Sequence, residues 1–306
     1  MENLQNGCVS LVLNAASSTG GTDDCKKAIE AAFAGLNRPL TFFIPGLHED
    51  IAATCMRAAK AASRNAGCLA VAGGDGSVNA AAAAAREHGV PLGIVATGTF
   101  NYFARLYGIP PEITDAVRVI AAGATQMVDV GEVNGRVFLN NASFGLYTRI
   151  IHSRERHKAR FGRFRLVAML SSLGELLRGQ KPFSVRIASD EGISVERTSM
   201  VSVVNNPLQL EALEPDTRAC VQAGSLGVLL LKPTRLRDRL RMLLRTALKD
   251  LEQDHRLLTF CTTEFEVESR RSSIELVIDG EITHARTPLL FRAAPNALQL
   301  LVPKTI

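Results

Sequence analysis

Leu69 to Ala85 reads LAVAGGDGSVNAAAAAA: an apolar run, a glycine-rich turn over Gly73-Gly74-Asp75-Gly76-Ser77, then an alanine-rich run. A short apolar run closed by glycines and followed by strong helix formers predicts strand, turn and helix in that order. Glycines at such a turn let backbone N–H groups approach a ligand without Cβ interference. The helix start behind them offers unpaired N–H donors and about half a positive charge, which suits phosphate. Asp75 would repel a phosphate directly, but it suits Mg²⁺ held against nucleotide phosphates. Taken alone, the turn fits tight packing in a parallel sheet equally well. There is no GxxxxGK[ST] and no GxGxxG, so neither a P-loop nor a Rossmann dinucleotide fingerprint is present.

A second turn of the same kind follows. GIVATGTFNYFARLYGIP places Gly98-Thr99 after a strand-like run and ahead of a short helix. Thr99 and Asn101 can each bond a phosphate or cap that helix, and capping is the commoner use of both residue types. Two such turns on successive strands would converge at the carboxyl edge of a sheet, where open α/β folds bind ligands. Upstream, CVSLVLN (Cys8–Asn14) and PLTFFI (Pro39–Ile44) read as further strands. Helices are expected after each: one from Thr22, with Asp23 and Asp24 in its first turn, and one from Ile51 towards Gly67. The β-α-β-α order predicts a mostly parallel, Rossmann-like sheet with helices on both faces.

Beyond Gln126 the texture changes. VDVGEVNGRVFLNNASFG reads as two strands joined at Asn134-Gly135, a strong hairpin signal. From Pro182 onward strands dominate, interrupted by one helical stretch, RLRDRLRMLLRTALKDLEQDH. An α/β domain over residues 1–127 and a β-rich, sandwich-like domain over 128–294 are therefore expected, with a last strand at about 295–306 that can return to the first.

The 306 residues carry a net charge of +5, 46% hydrophobic and 21% charged residues, which excludes a disordered chain and favours phosphate-bearing partners. Six scattered cysteines, with no CxxC, predict reduced, mostly buried thiols and no zinc site. No apolar run nears the roughly 20 residues of a spanning helix, and the N-terminus has no basic n-region. A cytoplasmic protein with only peripheral membrane contact is expected. Two basic stretches could provide that contact on an anionic surface: Arg149 to Lys181, and Lys232 to Arg245 with interleaved leucines. Both also fit solvated faces over a leucine core. With no recognisable module, no tryptophan and three tyrosines, nucleic-acid binding is not expected. The oligomeric state leaves no trace in the pattern.

The motifs together resemble the diacylglycerol kinase catalytic family, in its soluble bacterial lipid-kinase branch. The resemblance rests on Gly73-Gly74-Asp75-Gly76-Ser77-Val78-Asn79, on Gly98-Thr99-Phe100-Asn101-Tyr102-Phe103-Ala104, on Phe138-Leu139-Asn140-Asn141-Ala142-Ser143-Phe144-Gly145, and on Asp279-Gly280-Glu281. They stand in family order and span nearly the whole chain. Asn14 matches the start of the family's N-P-x-x-G turn, with Ala15 in place of the proline.

The resemblance implies ATP with Mg²⁺ bound in a cleft between the two domains, and transfer of its γ-phosphate to the hydroxyl of diacylglycerol or a related lipid. It implies nucleotide contacts from Asn14, Gly73, Gly74, Asp75, Gly76, Ser77, Asn79, Thr99 and Asn101, with Asp75 at the metal. Glu281 falls at the proton acceptor, and Asp129 at an acidic position of the domain junction, a further catalytic candidate. A glutamate of pKa about 4.3 is ionised near neutrality and can accept that proton. By itself Asp279-Gly280-Glu281 fits a plain β-turn.

Three departures stand out. Ala80 replaces the usual glutamate, Tyr102 the usual aspartate or histidine, and Ala223-Gly224-Ser225-Leu226-Gly227-Val228 lacks both aspartates of the family's second, structural Mg²⁺ segment, D-G-x-L-D-V. Alanine offers a hard cation no side-chain oxygen, so that second site is expected to be absent or altered. Two other readings stay open: a soluble NAD-kinase-like enzyme built on the same GGDG turn, and a degenerate lipid-binding or regulatory relative.

Overall fold

The computed structural model describes residues 7–14, 22–36, 38–46, 49–161, 174, 182–189, 192–210, 215–233, 237 and 257–304. The chain divides into two compact units: Met1–Val130 with Ala294–Ile306, and Gly131–Ala293.

The first unit alternates strands and helices: β1 (Val9–Leu13), α1 (Thr22–Phe33), β2 (Leu40–Phe43), α2 (Ile51–Arg64), β3 (Cys68–Gly73), α3 (Asp75–His88), β4 (Leu92–Ala96), α4 (Tyr102–Leu106) and α5 (Ile113–Ala122). Strands β2, β1, β3 and β4 lie side by side and all parallel. Every residue of β1 and β3 is buried, as expected of parallel strands covered on both faces. The alanine runs have a packing role. Ala81, Ala82, Ala84 and Ala85 of α3 are fully buried, as are Ala58, Ala59 and Ala62 of α2, and the two helices pack against each other. Asp50 caps α2 by accepting the Ala52 amide at 3.2 Å. Helix α3 stops at Gly89, whose φ of +62° is left-handed. Buried Arg38 braces the unit by donating to the carbonyls of Gly7 (3.1 Å) and Ile120 (2.6 Å).

The second unit is a β-sandwich entered through β5 (Thr125–Val133) and β6 (Arg136–Phe138). Asn134 and Gly135 join them at φ +48° and +78°, the two positive values that a type I′ hairpin requires. There follow β7 (Asn141–Gly145), α6 (Leu146–Phe161), β8 (Phe183–Ser189), β9 (Gly192–Thr198), β10 (Met200–Val204), α7 (Pro215–Gln222), β11 (Leu226–Leu231), β12 (Leu257–Thr262), β13 (Glu264–Glu268), β14 (Ser273–Ile278), β15 (Glu281–Arg286) and β16 (Leu289–Leu301). One layer is an antiparallel sheet in the order β12-β11-β10-β7-β14-β15. The other runs from the start of β16 through β13 and β8 to β9, also antiparallel. Phe144, Val203, Val228 and Leu276 of the first layer share one core with Val185, Phe265 and Phe291 of the second. Phe265 stacks on Phe291 at 4.9 Å. The last strand ends in the first unit, where Leu300 pairs in parallel with Leu92.

One expectation is overturned. Not all six cysteines are scattered thiols: Cys220 of α7 and Cys261 of β12 form a disulfide. Their separation of 41 residues hides a close approach, because α7 packs on the strand pair β11–β12 and sets the two Cα atoms 6.5 Å apart. Cys8, Cys25, Cys55 and Cys68 are free thiols. Burial raises the Cys25 and Cys68 thiols, and burial followed by the Asp50 charge pushes Cys55 up to about 12.

Most of the two basic stretches lies outside the described residues. Among the described residues, no helix is long and apolar enough to cross a membrane. Ala223 to Ser225 forms the C-terminal cap of α7: the amides of Ala223, Gly224 and Ser225 bond carbonyls of Ala219, Val221 and Cys220, and Gly224 takes φ +91°. No cluster of three or more His, Cys, Asp or Glu suited to a metal occurs among the described residues.

Candidate functional site

In the first unit the two glycine turns meet. Gly73 ends β3 and Gly74 is the N-cap of α3, in extended geometry and with no side chain to cap the helix. A Cβ on Gly73 would stand 2.6 Å from Ser77 Cβ, and one on Gly98 would stand 2.6 Å from Gly74 Cα. Only glycine lets these segments close on each other. The Thr97 amide bonds the Gly73 carbonyl at 3.0 Å, which extends the β3–β4 pairing into the turns.

The predicted residues of this unit gather around the contact. Asn14, just past β1, donates from Nδ2 to the Ser77 hydroxyl at 2.7 Å, so the ends of β1, β3 and β4 are tied at one edge. Asn79 sits on α3 with its Oδ1 buried and unpartnered. Asp75 and Gly76 form the first turn of α3, half-buried. Thr99 is exposed beside Phe100, which stacks on Tyr102 at 5.6 Å. Asn101 does not cap α4 with its side chain. It adopts φ +50° and donates from Nδ2 to the Gly98 carbonyl at 2.9 Å, which closes the second turn on itself. The resulting edge has bare backbone at Gly73, Gly74 and Gly98, a helix start without a capping side chain, and an aspartate in that helix's first turn. These residues fit a phosphate group accompanied by a hard cation.

Asp129 lies elsewhere in the same unit. Its Oδ1 accepts the Asn296 amide at 2.8 Å, tying β5 to the middle of β16. Burial, helped by the Asp129 charge, pushes the Tyr107 phenol up to about 12.

In the second unit, Asp279-Gly280 is the two-residue loop between β14 and β15, with φ of +47° and +92°. Asp279 folds its carboxylate back over the start of β7. Oδ2 accepts the Leu139 amide at 2.7 Å, and Oδ1 accepts those of Asn140 and Asn141 at 2.8 and 2.9 Å. The third and fourth motifs are therefore one structure, with the aspartate as its clasp. Glu281 opens β15 on the exposed side of this loop.

An asparagine cluster supports the clasp. Asn206 donates to Asn140 Oδ1 at 2.8 Å, Asn205 donates from its side chain to the Leu139 carbonyl at 3.1 Å, and Asn141 bonds Gln209. Sequence reasoning missed Asn205, Asn206 and Gln209. The available signal was a second Asn-Asn pair at a strand end, which β7–β10 pairing brings opposite the first, Val204 beside Asn141.

The chain is similar to known diacylglycerol kinases. Residues 9–133 match the family model described as the diacylglycerol kinase catalytic domain. A diacylglycerol kinase of Staphylococcus epidermidis is 26% identical over 243 residues, 78% of this chain and 75% of that protein. A diacylglycerol kinase of Bacillus subtilis is 29% identical over 196 residues, 60% of this chain and 61% of that protein. Among solved structures, a diacylglycerol kinase of Bacillus anthracis superposes with a TM-score of 0.73 over 97% of this chain and 98% of that one. At 20% identity that likeness is one of fold.

Proposed function

We propose that the chain, whose residues 9–133 match the diacylglycerol kinase catalytic domain, is a kinase of that family and transfers the γ-phosphate of ATP to a lipid hydroxyl, with diacylglycerol as the first acceptor to test. The observation that carries the reading is the contact of the two glycine turns at Gly74 and Gly98. It supports a phosphate-binding edge better than a packing turn, because a packing turn has no need to leave Asn79 Oδ1 buried and unpartnered beside it.

Phosphoryl transfer needs positioning and charge more than covalent chemistry. The first turn of α3, with no capping side chain at Gly74, offers phosphate oxygens N–H donors. Thr99 adds a hydroxyl donor. Mg²⁺ brought by the nucleotide would be held by Asp75, and when bound it neutralises developing phosphate charge. Glu281 is assigned as proton acceptor for the lipid hydroxyl, and Asp279 positions it by fixing the loop. Ala223 and Gly227 offer a hard cation no side-chain oxygen, so no second, structural cation is assigned to that segment.

The test is an acceptor panel. The full chain is incubated with γ-labelled ATP, Mg²⁺ and vesicles of diacylglycerol, ceramide or a sphingoid base, with NAD in a parallel arm. Label in a lipid supports the proposal and names the acceptor class. Label in NAD alone would replace it with a soluble kinase. Calorimetry showing no binding of ATP with Mg²⁺ would replace it with a non-catalytic relative.

A further inference from the structure

The segment that resembles the family's structural cation site does not fit a cation in this chain. Ala223 and Gly227 stand where the two aspartates would. A Cβ on Gly227 would meet Val221 Cγ2 at 3.0 Å, Thr217 Cγ2 at 3.3 Å and Leu210 Cδ1 at 3.6 Å. Those are methyl groups, and a hard cation needs oxygen. The tie found at this place is covalent. Gly227 of β11 pairs across the sheet with Cys261 of β12, and Cys261 is joined to Cys220 of α7.

A continuous line of contacts leads from this bridge to the clasp over β7. Cys220 packs against the small core of Val204, Leu210, Val221 and Leu229. Leu210 ends the short turn Pro207–Leu210, which packs on α7. Its neighbour Gln209 bonds the Asn141 side chain, and the Leu208 amide is accepted at 2.9 Å by Asn206, which in turn donates to Asn140. The amides of Asn140 and Asn141 are two of the three that the Asp279 carboxylate accepts.

Two observations suit this bridge to reversible chemistry. Cys220 and Cys261 are both half-buried, whereas Cys25, Cys55 and Cys68 are buried, so a thiolate can reach the bridge. The Cys220 sulfur also stands 3.1 Å from the Thr217 carbonyl, an acceptor that a free thiol on the same helix would use. Helix α7 therefore has a place for the reduced state as well.

We propose that the Cys220–Cys261 bridge takes the place of a structural cation and makes the clasp redox-sensitive: oxidised, it holds α7 and the Pro207–Leu210 turn against the sheet, and reduced, it lets the start of β7 loosen. The reductant is a dithiol. Its thiolate attacks one sulfur of the bridge, forms a mixed disulfide and releases the other cysteine, and its second thiol then displaces the first. Two electrons and two protons pass to the cysteine pair, and the reductant leaves as a disulfide. Any effect on turnover rests on Glu281 being the proton acceptor; the effect on the clasp does not.

The full chain is followed by hydrogen exchange without ATP, oxidised and after reduction with dithiothreitol. On reduction the amides of Leu139 to Asn141 should exchange about tenfold faster while β8 and β13, in the other layer, keep their protection. Reoxidation should restore the slow exchange. The double variant Cys220→Ser with Cys261→Ser should exchange as the reduced protein does and ignore dithiothreitol. Mg²⁺ alone should protect residues 223–228 in neither state. With labelled ATP and diacylglycerol, reduction should lower turnover at unchanged ATP affinity; no transfer in either state would count against the kinase reading, and the exchange result would still decide this one. Unchanged exchange on reduction, an equal response in the double variant, loss of protection throughout the second unit, or protection of residues 223–228 by Mg²⁺ would overturn the proposal.

Discussion

Gly98 and Gly74 touch backbone to backbone: a methyl group on Gly98 would stand 2.6 Å from the Cα of Gly74 and 2.7 Å from Asn101 Oδ1. Gly98→Ala must therefore push the two turns apart or expel Asn101 from its bond to the Gly98 carbonyl. Overpacking of this kind costs about 1–3 kcal/mol. Urea unfolding should register that loss, and ATP affinity should fall further than in Gly89→Ala, whose cost is left-handed backbone strain at the far end of α3 and not a clash between the turns.

Asp279 and Glu281 should separate stability from turnover. Asp279→Ala strands three amides at the start of β7, and its destabilisation is expected to reach about 3 kcal/mol by denaturant unfolding. Asp279→Asn keeps an acceptor oxygen and should lose less. Glu281 is exposed, so Glu281→Ala should stay within about 0.5 kcal/mol of wild type. A large stability loss in Glu281→Ala would show that its role is structural.

The asparagine cluster shows what pattern reading can and cannot reach. The parallel sheet, the two glycine turns and the Asn134-Gly135 hairpin were legible because each is dictated locally, by strand period, by Cβ clash or by positive φ. Asp279 read as a turn residue, which it is. Its clasp over Leu139 to Asn141 spans about 140 positions and depends on β7 pairing with β14, and register across such a gap leaves no local mark. The asparagines that meet at the adjoining ends of β7 and β10 were hidden for the same reason. Asn101 stands at the start of α4, and residue type alone does not reveal that its left-handed backbone turns the side chain back to Gly98 rather than onto the helix.

The cysteines make the same point and give a test. Thiol titration of the denatured, unreduced chain should count four free thiols, since Cys220 and Cys261 are joined. A count of six would contradict the cross-link. In the chain-entropy model, reducing a bridge over 41 residues costs about 4 kcal/mol, so thermal unfolding should fall clearly in dithiothreitol.

Tyr107 supplies a pH signature. Burial, then the Asp129 charge, raises its pKa from 10 to about 12. A folded pKa above the unfolded value means that the native state holds the proton more tightly. The stabilisation from this group is thus complete below about pH 10 and lost as pH climbs towards 12. Ultraviolet titration should find one phenol ionising near 12. In Asp129→Asn it should ionise at lower pH while staying above 10, because burial is the larger cause.

The most direct measurement is phosphoryl transfer from labelled ATP to diacylglycerol vesicles by wild type and by Glu281→Ala at matched ATP saturation. A lost general base slows the reaction by roughly 10²–10⁴, and a drop of that size with ATP affinity unchanged is the predicted result. Equal rates in the two proteins, or no labelled lipid from either while ATP binds normally, would contradict the account.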